Sequence, residues 1–121
     1  MSGIYGKGLR GKATKLHAEL VRSRGRCERC GKVGMAFQCA HIIPRRYAAT
    51  RVDPVNAWCL CAGCHLRTTE WAGEHMALIE ATIGLAAYEE LRRRAEAGVK
   101  ANDGYWQGWV DALTVMLEAA A

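Results

Sequence analysis

The sequence predicts an α+β fold, in which two short β-strands and a helix form the centre, one helix precedes them and further helices follow. Apolar residues recur at helical spacing early in the chain and again in its last third. Between these regions lie two short β-prone runs joined by a long loop. A chain of 121 residues is long enough for one domain with a modest core.

The first helix is predicted over residues 12–23. Its apolar side chains share one helical face: Ala13, Leu16, Leu20 and Val21. Residues 1–11 before it are rich in glycine and basic side chains and hold little apolar surface. We expect this segment to be a flexible basic arm.

The two strands are predicted at Met35 to Ile43, where Pro44 ends the run, and at Ala57 to Leu60. The loop between them contains an Asp-Pro turn at positions 53 and 54. A short helix over about 62–71 should follow the second strand.

Three more helices are predicted at 74–82, 85–97 and 103–118. Gly84 and Gly98 suit the ends of the first two, and Asp103 suits the N-cap of the third. The third helix carries an apolar stripe of Trp106, Trp109, Val110, Leu113 and Leu117. We expect these helices to supply core rather than chemistry.

Two Cys-x-x-Cys pairs, Cys27/Cys30 and Cys61/Cys64, bracket the predicted strands. A two-residue spacer lets both sulfurs of a pair turn toward one ion, and four thiolates complete the tetrahedral shell of a structural Zn²⁺. The sequence has neither an export signal nor an apolar run of membrane-spanning length, so we expect a cytoplasmic protein without a membrane partner. In that reducing compartment, zinc is favoured over disulfides.

The net charge of +5 is unevenly distributed along the chain. Residues 1–67 carry thirteen Lys and Arg against three acidic residues, a balance of +10, whereas residues 68–121 have a balance of −5. Because the basic surplus surrounds the cysteine pairs, it favours contact with a polyanion. The expected partner is a nucleic acid.

A His, an Asn and a second His lie inside the cysteine bracket. His41 ends the first predicted strand, Asn56 follows 15 residues later, and His65 comes nine residues after Asn56 and directly after Cys64. Together with the cysteine pairs, this spacing resembles the HNH endonuclease family over residues 27–69. The resemblance implies a ββα-metal (His-Me finger) core stapled by a four-cysteine zinc site, with an N-terminal helix and C-terminal helices.

The resemblance also implies an arrangement of domains and a function. It gives one HNH nuclease domain over 12–121, with the ββα core at about 35–71 and the C-terminal helical part at 74–119. The activity would be metal-dependent hydrolysis of DNA phosphodiester bonds, by nicking or double-strand cleavage.

The family pattern assigns roles to the three central residues. His41 would be the general base, polarised by a loop carbonyl, and a neutral imidazole suits that role near pH 7. Asn56 would tie the loop across itself by hydrogen bonds and so orient His41. His65 would bind the catalytic divalent metal, Mg²⁺, Mn²⁺ or another; the alternative is that His65 serves the zinc site beside Cys64.

Two positions depart from the colicin-type members of the family, because Ala40 and Thr69 stand where those members place further metal ligands. Unless Thr69, Glu70 or the thiol of Cys39 contributes a ligand, we therefore expect weak binding of the catalytic metal, at millimolar concentration. Arg45, Arg46 and Arg51 follow the base and are candidates to bind DNA phosphates; solvated loop arginines are the alternative.

Two rival functions stay open at this point. One is a zinc-dependent DNA-binding module of the same fold that has lost catalysis, and the other is a structure-selective junction nuclease. Since the chain looks like compact HNH proteins of bacteriophages, the resemblance implies as further partners a second copy of the chain or phage proteins of packaging or recombination. If the chain is phage-encoded, its place would be the host cytoplasm.

Overall fold

The computed structural model describes residues 4–121, and over these residues it confirms the α+β prediction. Five α-helices surround one antiparallel two-stranded hairpin. The elements run in this order: α1 Gly8–Arg22, β1 Gln38–His41, β2 Ala57–Leu60, α2 Ala62–Glu70, α3 Ala72–Ala81, α4 Leu85–Ala97 and α5 Asp103–Ala120. A 3₁₀ turn, Pro54–Asn56, leads into β2.

The hairpin lies between two helical layers. Its register pairs Cys39 with Cys59 and Ala40 with Trp58, and all four residues of β2 are buried. Because side chains alternate along a strand, Trp58 and Ala40 enter the core formed with α3 and α4, whereas Cys59 packs with Val21 of α1 on the other side. Both faces of β2 are therefore covered.

Helices α1 and α5 pack on each other through a second apolar cluster, which consists of Ala13, Val52, Trp106, Val110 and Leu113. The predicted stripe of α5 is therefore buried at its centre. Its N-cap is Asn102, whose side-chain oxygen accepts from the Tyr105 amide at 2.9 Å, so the expected cap at Asp103 is wrong by one residue.

The N-terminal segment differs from the predicted flexible arm, because α1 already begins at Gly8. Gly11 is buried, and a Cβ atom there would lie 2.1 Å from the backbone oxygen of Gly6. The missing side chain lets the chain fold back against the helix. At this position glycine provides close packing rather than flexibility. Residues 1–3 of the predicted arm lie outside the described residues.

Strand β1 is shorter than the predicted run of Met35 to Ile43. Met35 is exposed and precedes the strand. At the other end, the amide and the carbonyl of Ile43 hydrogen-bond to the side chain of Asn56, so the chain leaves the ladder after His41. None of the helices formed by residues 4–121 has the length and apolar character needed to cross a bilayer.

Candidate metal centre and histidine cleft

The four paired cysteines come together as the spacing predicted. The sulfur atoms of Cys27, Cys30, Cys61 and Cys64 all lie within 4.8 Å of one another, and none is in a disulfide. Cys27 and Cys64 are buried, and Cys30 is exposed. This cluster is consistent with a structural Zn²⁺ site.

Local backbone geometry builds the cluster from two segments. In the first, Gly31 donates its amide to the Cys27 carbonyl at 2.9 Å and has φ +78°, a conformation that favours glycine. In the second, Cys61 is the N-cap of α2, which places Cys64 in the first helical turn. The Glu28 amide joins the two segments through the Cys59 carbonyl at 2.8 Å.

The electrostatics of the cluster favour a bound cation. Burial, and then the neighbouring cysteine side chains, raise the pKa of Cys64 to about 12. Burial also acts to raise the pKa of Cys27, but amide groups, with that of Cys30 foremost, hold it at about 6. Four thiolates this close repel one another, so full ionisation requires a divalent ion among them.

Arg29 places a positively charged side chain at the cluster, which the sequence pattern did not reveal. Its guanidinium lies 3.5 Å from the sulfur of Cys64 and donates to Glu74 of α3 at 3.1 Å. A Zn²⁺ ion with four thiolates would carry a net negative charge, which the guanidinium offsets. Arg29 thereby connects the cysteine cluster to α3.

His41 lies at the end of β1, on the face toward α1. Its Nε2 atom is 2.7 Å from the carbonyl oxygen of Arg51 in the long loop. Because a carbonyl oxygen only accepts, Nε2 carries the proton and Nδ1 is left as the acceptor. Burial lowers the pKa of His41, with the charge of Arg45 also contributing, so the ring is neutral at pH 7.

Asn56 fastens the two ends of the loop. It is fully buried; its Oδ1 accepts from the Ile43 amide at 2.7 Å, and its Nδ2 donates to the carbonyls of Ile43 at 3.1 Å and Thr50 at 3.0 Å. These bonds join the residues after His41 to the turn that precedes Arg51. Asn56 therefore fixes both the strand end and the loop that carries the His41 partner.

His65 lies on α2 and shares a cleft of about 310 Å³ with His41. Its Nδ1 is 2.6 Å from Oε1 of Gln38. If the amide oxygen accepts there, Nδ1 carries the proton and Nε2 keeps a lone pair that can bind a metal. Gln38 was not singled out from the sequence, because only the fold brings it to α2.

The three predicted arginines occupy different environments. Arg45 lines the cleft and donates to the carbonyl of Ile4 at 2.7 Å. The guanidinium of Arg46 lies over the Tyr47 ring, 4.7 Å from its centroid.

Arg51 binds the protein itself, since its guanidinium donates to the Thr14 hydroxyl at 2.9 Å and to the carbonyls of Arg45 and Tyr5, each at 3.1 Å. The structure therefore places Arg45 at the cleft and uses Arg51 to hold the loop.

Arg22 of α1 also lines the cleft, as Arg45 does. Its guanidinium approaches the Tyr5 hydroxyl at 3.4 Å. The helical pattern of the sequence places Arg22 outside the predicted core, but nothing in the sequence indicated that α1 faces the cleft. Two arginines from different elements therefore flank the histidines.

The described residues of the cleft do not form a second set of metal ligands. In residues 4–121, the four cysteines are the only cluster of three or more His, Cys, Asp or Glu side chains arranged to hold an ion. The Thr69 hydroxyl donates to the His65 carbonyl at 2.8 Å, and Ala40 is buried in the core. An acid at position 40 would therefore enter the core rather than the cleft. The described residues that line the cleft therefore show no ligand set for a second ion.

Comparison of this chain with protein-family models, with curated proteins and with solved structures finds no match.

Proposed function

We propose that the chain is a metal-dependent DNA endonuclease of the HNH type, with a ββα-metal core formed by β1, β2 and α2. The observation that carries the proposal is the cleft itself. It brings together His41, held by a loop carbonyl, and His65, held by Gln38, although 24 residues separate them in the sequence. Arg22 and Arg45 flank them.

Charge supports a nucleic acid as the substrate. Residues 1–67 have a balance of +10 and include α1, the hairpin and most of α2, which are the elements that form the cleft. Phosphate contacts from Arg22 and Arg45 would place the DNA backbone over His41. Such contacts position the strand without reading its sequence.

In this proposal His41 removes a proton from the attacking water. The water donates to Nδ1, and the Arg51 carbonyl stabilises the resulting imidazolium through the Nε2 proton. Since burial keeps the ring neutral, the base form is present at pH 7. Asn56 holds this geometry through its three bonds to the loop.

A divalent ion bound at His65 would stabilise charge on the phosphate and on the departing 3′-oxygen. Among the described residues of the cleft, His65 is the one strong ligand that this proposal assigns to the ion, so binding should be weak and should depend on the phosphate of the substrate. Cys39 also lines the cleft; burial raises the pKa of its thiol to about 11, so the thiol keeps its proton as long as no ion binds it.

The second candidate is a zinc-dependent DNA-binding module of the same fold. The absence of a cleft carboxylate among the described residues favours it, because a nuclease of this type requires an ion that few ligands here can hold. A junction-selective nuclease would use the same cleft on a different substrate.

Incubation with supercoiled plasmid, with and without Mn²⁺, tests the proposal. The nuclease should convert supercoiled to nicked DNA only with the ion, and a four-way junction in the same assay would reveal structure selectivity. His65→Ala should regain part of the lost rate when more Mn²⁺ is added, because the base remains in place. DNA binding without nicking under any divalent ion would favour the binding module.

A further inference from the structure

His17 of α1 is a completely buried histidine beside the cleft. Its ring centroid lies 5.1 Å from that of His41, and the two ring planes are inclined by 37°. The proposed chemistry does not use His17 directly. A buried imidazole in contact with the proposed base nevertheless constrains where that base can lie.

Both ring nitrogens of His17 have partners. Nε2 is 3.0 Å from the carbonyl oxygen of Asp53, so it must donate a proton. Nδ1 is then an acceptor, and the sulfur of Cys39 lies 3.8 Å from it. One neutral tautomer satisfies both contacts, with the Cys39 thiol as the donor.

The charge state of His17 agrees with this geometry. Burial, followed by the charge of His41, lowers its pKa to about 4, against the opposing effect of the Asp53 carbonyl. Arg24 and the Asp53 carboxylate are the other charged groups that act on the ring. His17 is therefore neutral at pH 7. Since Cys39 keeps its proton, the pair is not a thiolate–imidazolium nucleophile.

Asp53 links His17 to the partner of His41. The Asp53 amide donates to the Thr50 carbonyl at 3.2 Å, which closes a turn that contains Arg51. The Arg51 carbonyl in that turn is the group that accepts from His41. By holding the Asp53 carbonyl, His17 fixes one end of the turn.

We infer that His17 is a positioning residue, which holds the ring of His41 by direct contact and the Arg51 carbonyl through Asp53. The catalytic consequence rests on the proposed nuclease function. The structural consequence does not, because the tautomer of His41 can be observed without any substrate.

The first test uses ¹⁵N-labelled wild-type protein and long-range ¹H–¹⁵N correlation of the imidazole rings at pH 7.5. Both His17 and His41 should show the Nε2–H tautomer. A Nδ1–H tautomer for either ring would overturn the inference, and this measurement needs no variant that might fail to fold.

The second test compares His17→Phe, which keeps a ring but loses the donor, with His17→Gln, which keeps an N–H group for the Asp53 carbonyl. His17→Phe should convert His41 to a mixture of tautomers, and His17→Gln should restore much of the Nε2–H form. The matched control is His75→Phe, because His75 also contacts a loop carbonyl, that of Ile42 at 3.1 Å, and packs on a ring, that of Trp58.

His75→Phe should leave the His41 tautomer unchanged. If His17→Phe, with its zinc content and circular dichroism intact, also leaves it unchanged, His17 does not position His41.

For activity, His17→Phe should lower kcat roughly 10- to 100-fold with little change in KM, since misplacement of a reacting group affects the chemical step. If wild type and His17→Phe have equal kcat although the His41 tautomer is altered, the inference that His17 supports catalysis is refuted. No nicking by wild type would instead refute the proposed nuclease, and the tautomer result would still test the positioning role.

Discussion

Replacement of Asn56 by Ala should destabilise the protein far more than an ordinary surface change. The substitution removes three hydrogen bonds from a completely buried side chain. It leaves the Ile43 amide and carbonyl without this partner, whereas the Thr50 carbonyl keeps the Asp53 amide as a donor at 3.2 Å. A buried polar group left unpaired costs about 1–3 kcal/mol.

The two unpaired groups of Ile43, together with the lost bond to Thr50, suggest a loss of about 3–5 kcal/mol. That is a large share of the roughly 5–15 kcal/mol that stabilises a typical domain. Urea unfolding, followed by tryptophan fluorescence, measures the loss, since Trp58 and Trp106 are buried in the folded protein. Asn56→Asp should be at least as destabilising, because it replaces the donor by an oxygen that faces two carbonyls.

Asn102→Ala is the matched control. Its side chain makes one exposed capping bond, to the Tyr105 amide, so its loss should cost about 1 kcal/mol. If Asn56→Ala costs no more than Asn102→Ala, the loop is not held by Asn56 and the reasoning fails.

Three further predictions concern zinc, pH and DNA. Elemental analysis should find one Zn²⁺ per chain, and Cys64→Ser should abolish cooperative unfolding, whereas an unaltered melting curve without zinc would contradict the site. Because the pKa of His17 is lowered from 6.5 to about 4, the contribution of His17 to the free energy of unfolding should be complete above pH 6.5 and should fall by about 3 kcal/mol as the pH drops to 4. In His17→Gln, the free energy of unfolding measured with urea should lack this decrease. DNA affinity should fall as the salt concentration rises. Arg45→Ala should reduce the slope of log affinity against log salt concentration by about one. Arg92→Ala should leave that slope unchanged, because Arg92 pairs with Glu89 and Glu96 outside the cleft.

The sequence predicted those parts of the fold that depend on local pattern. The range of α4 and that of β2 match the prediction, because Gly84 and Gly98 flank α4 and a short continuous apolar run forms β2. The cysteine cluster was predictable for a similar reason, since the spacing within each pair already turns both sulfurs toward one point.

The missed features depend on contacts between distant parts of the chain. His17 and Arg22 belong to α1, and nothing local shows that this helix forms a wall of the cleft. Ala40 appeared to be a vacant ligand position, but strand alternation turns it into the core. Phosphate binding by Arg51 stays a prediction, but the sequence did not show that its guanidinium donates to acceptors of the protein itself.

The central claim is that His41 is the base of a nuclease cleft, and single-turnover nicking of plasmid with Mn²⁺, measured against pH, tests it most directly. Because the pKa of His41 is lowered, the wild-type rate should rise with pH and level off below neutrality. His41→Ala should nick about 10²–10⁴ times more slowly than wild type, while its zinc content and DNA affinity are unchanged. Added metal should not restore the nicking rate. Nicking by purified His41→Ala at the wild-type rate would contradict the account.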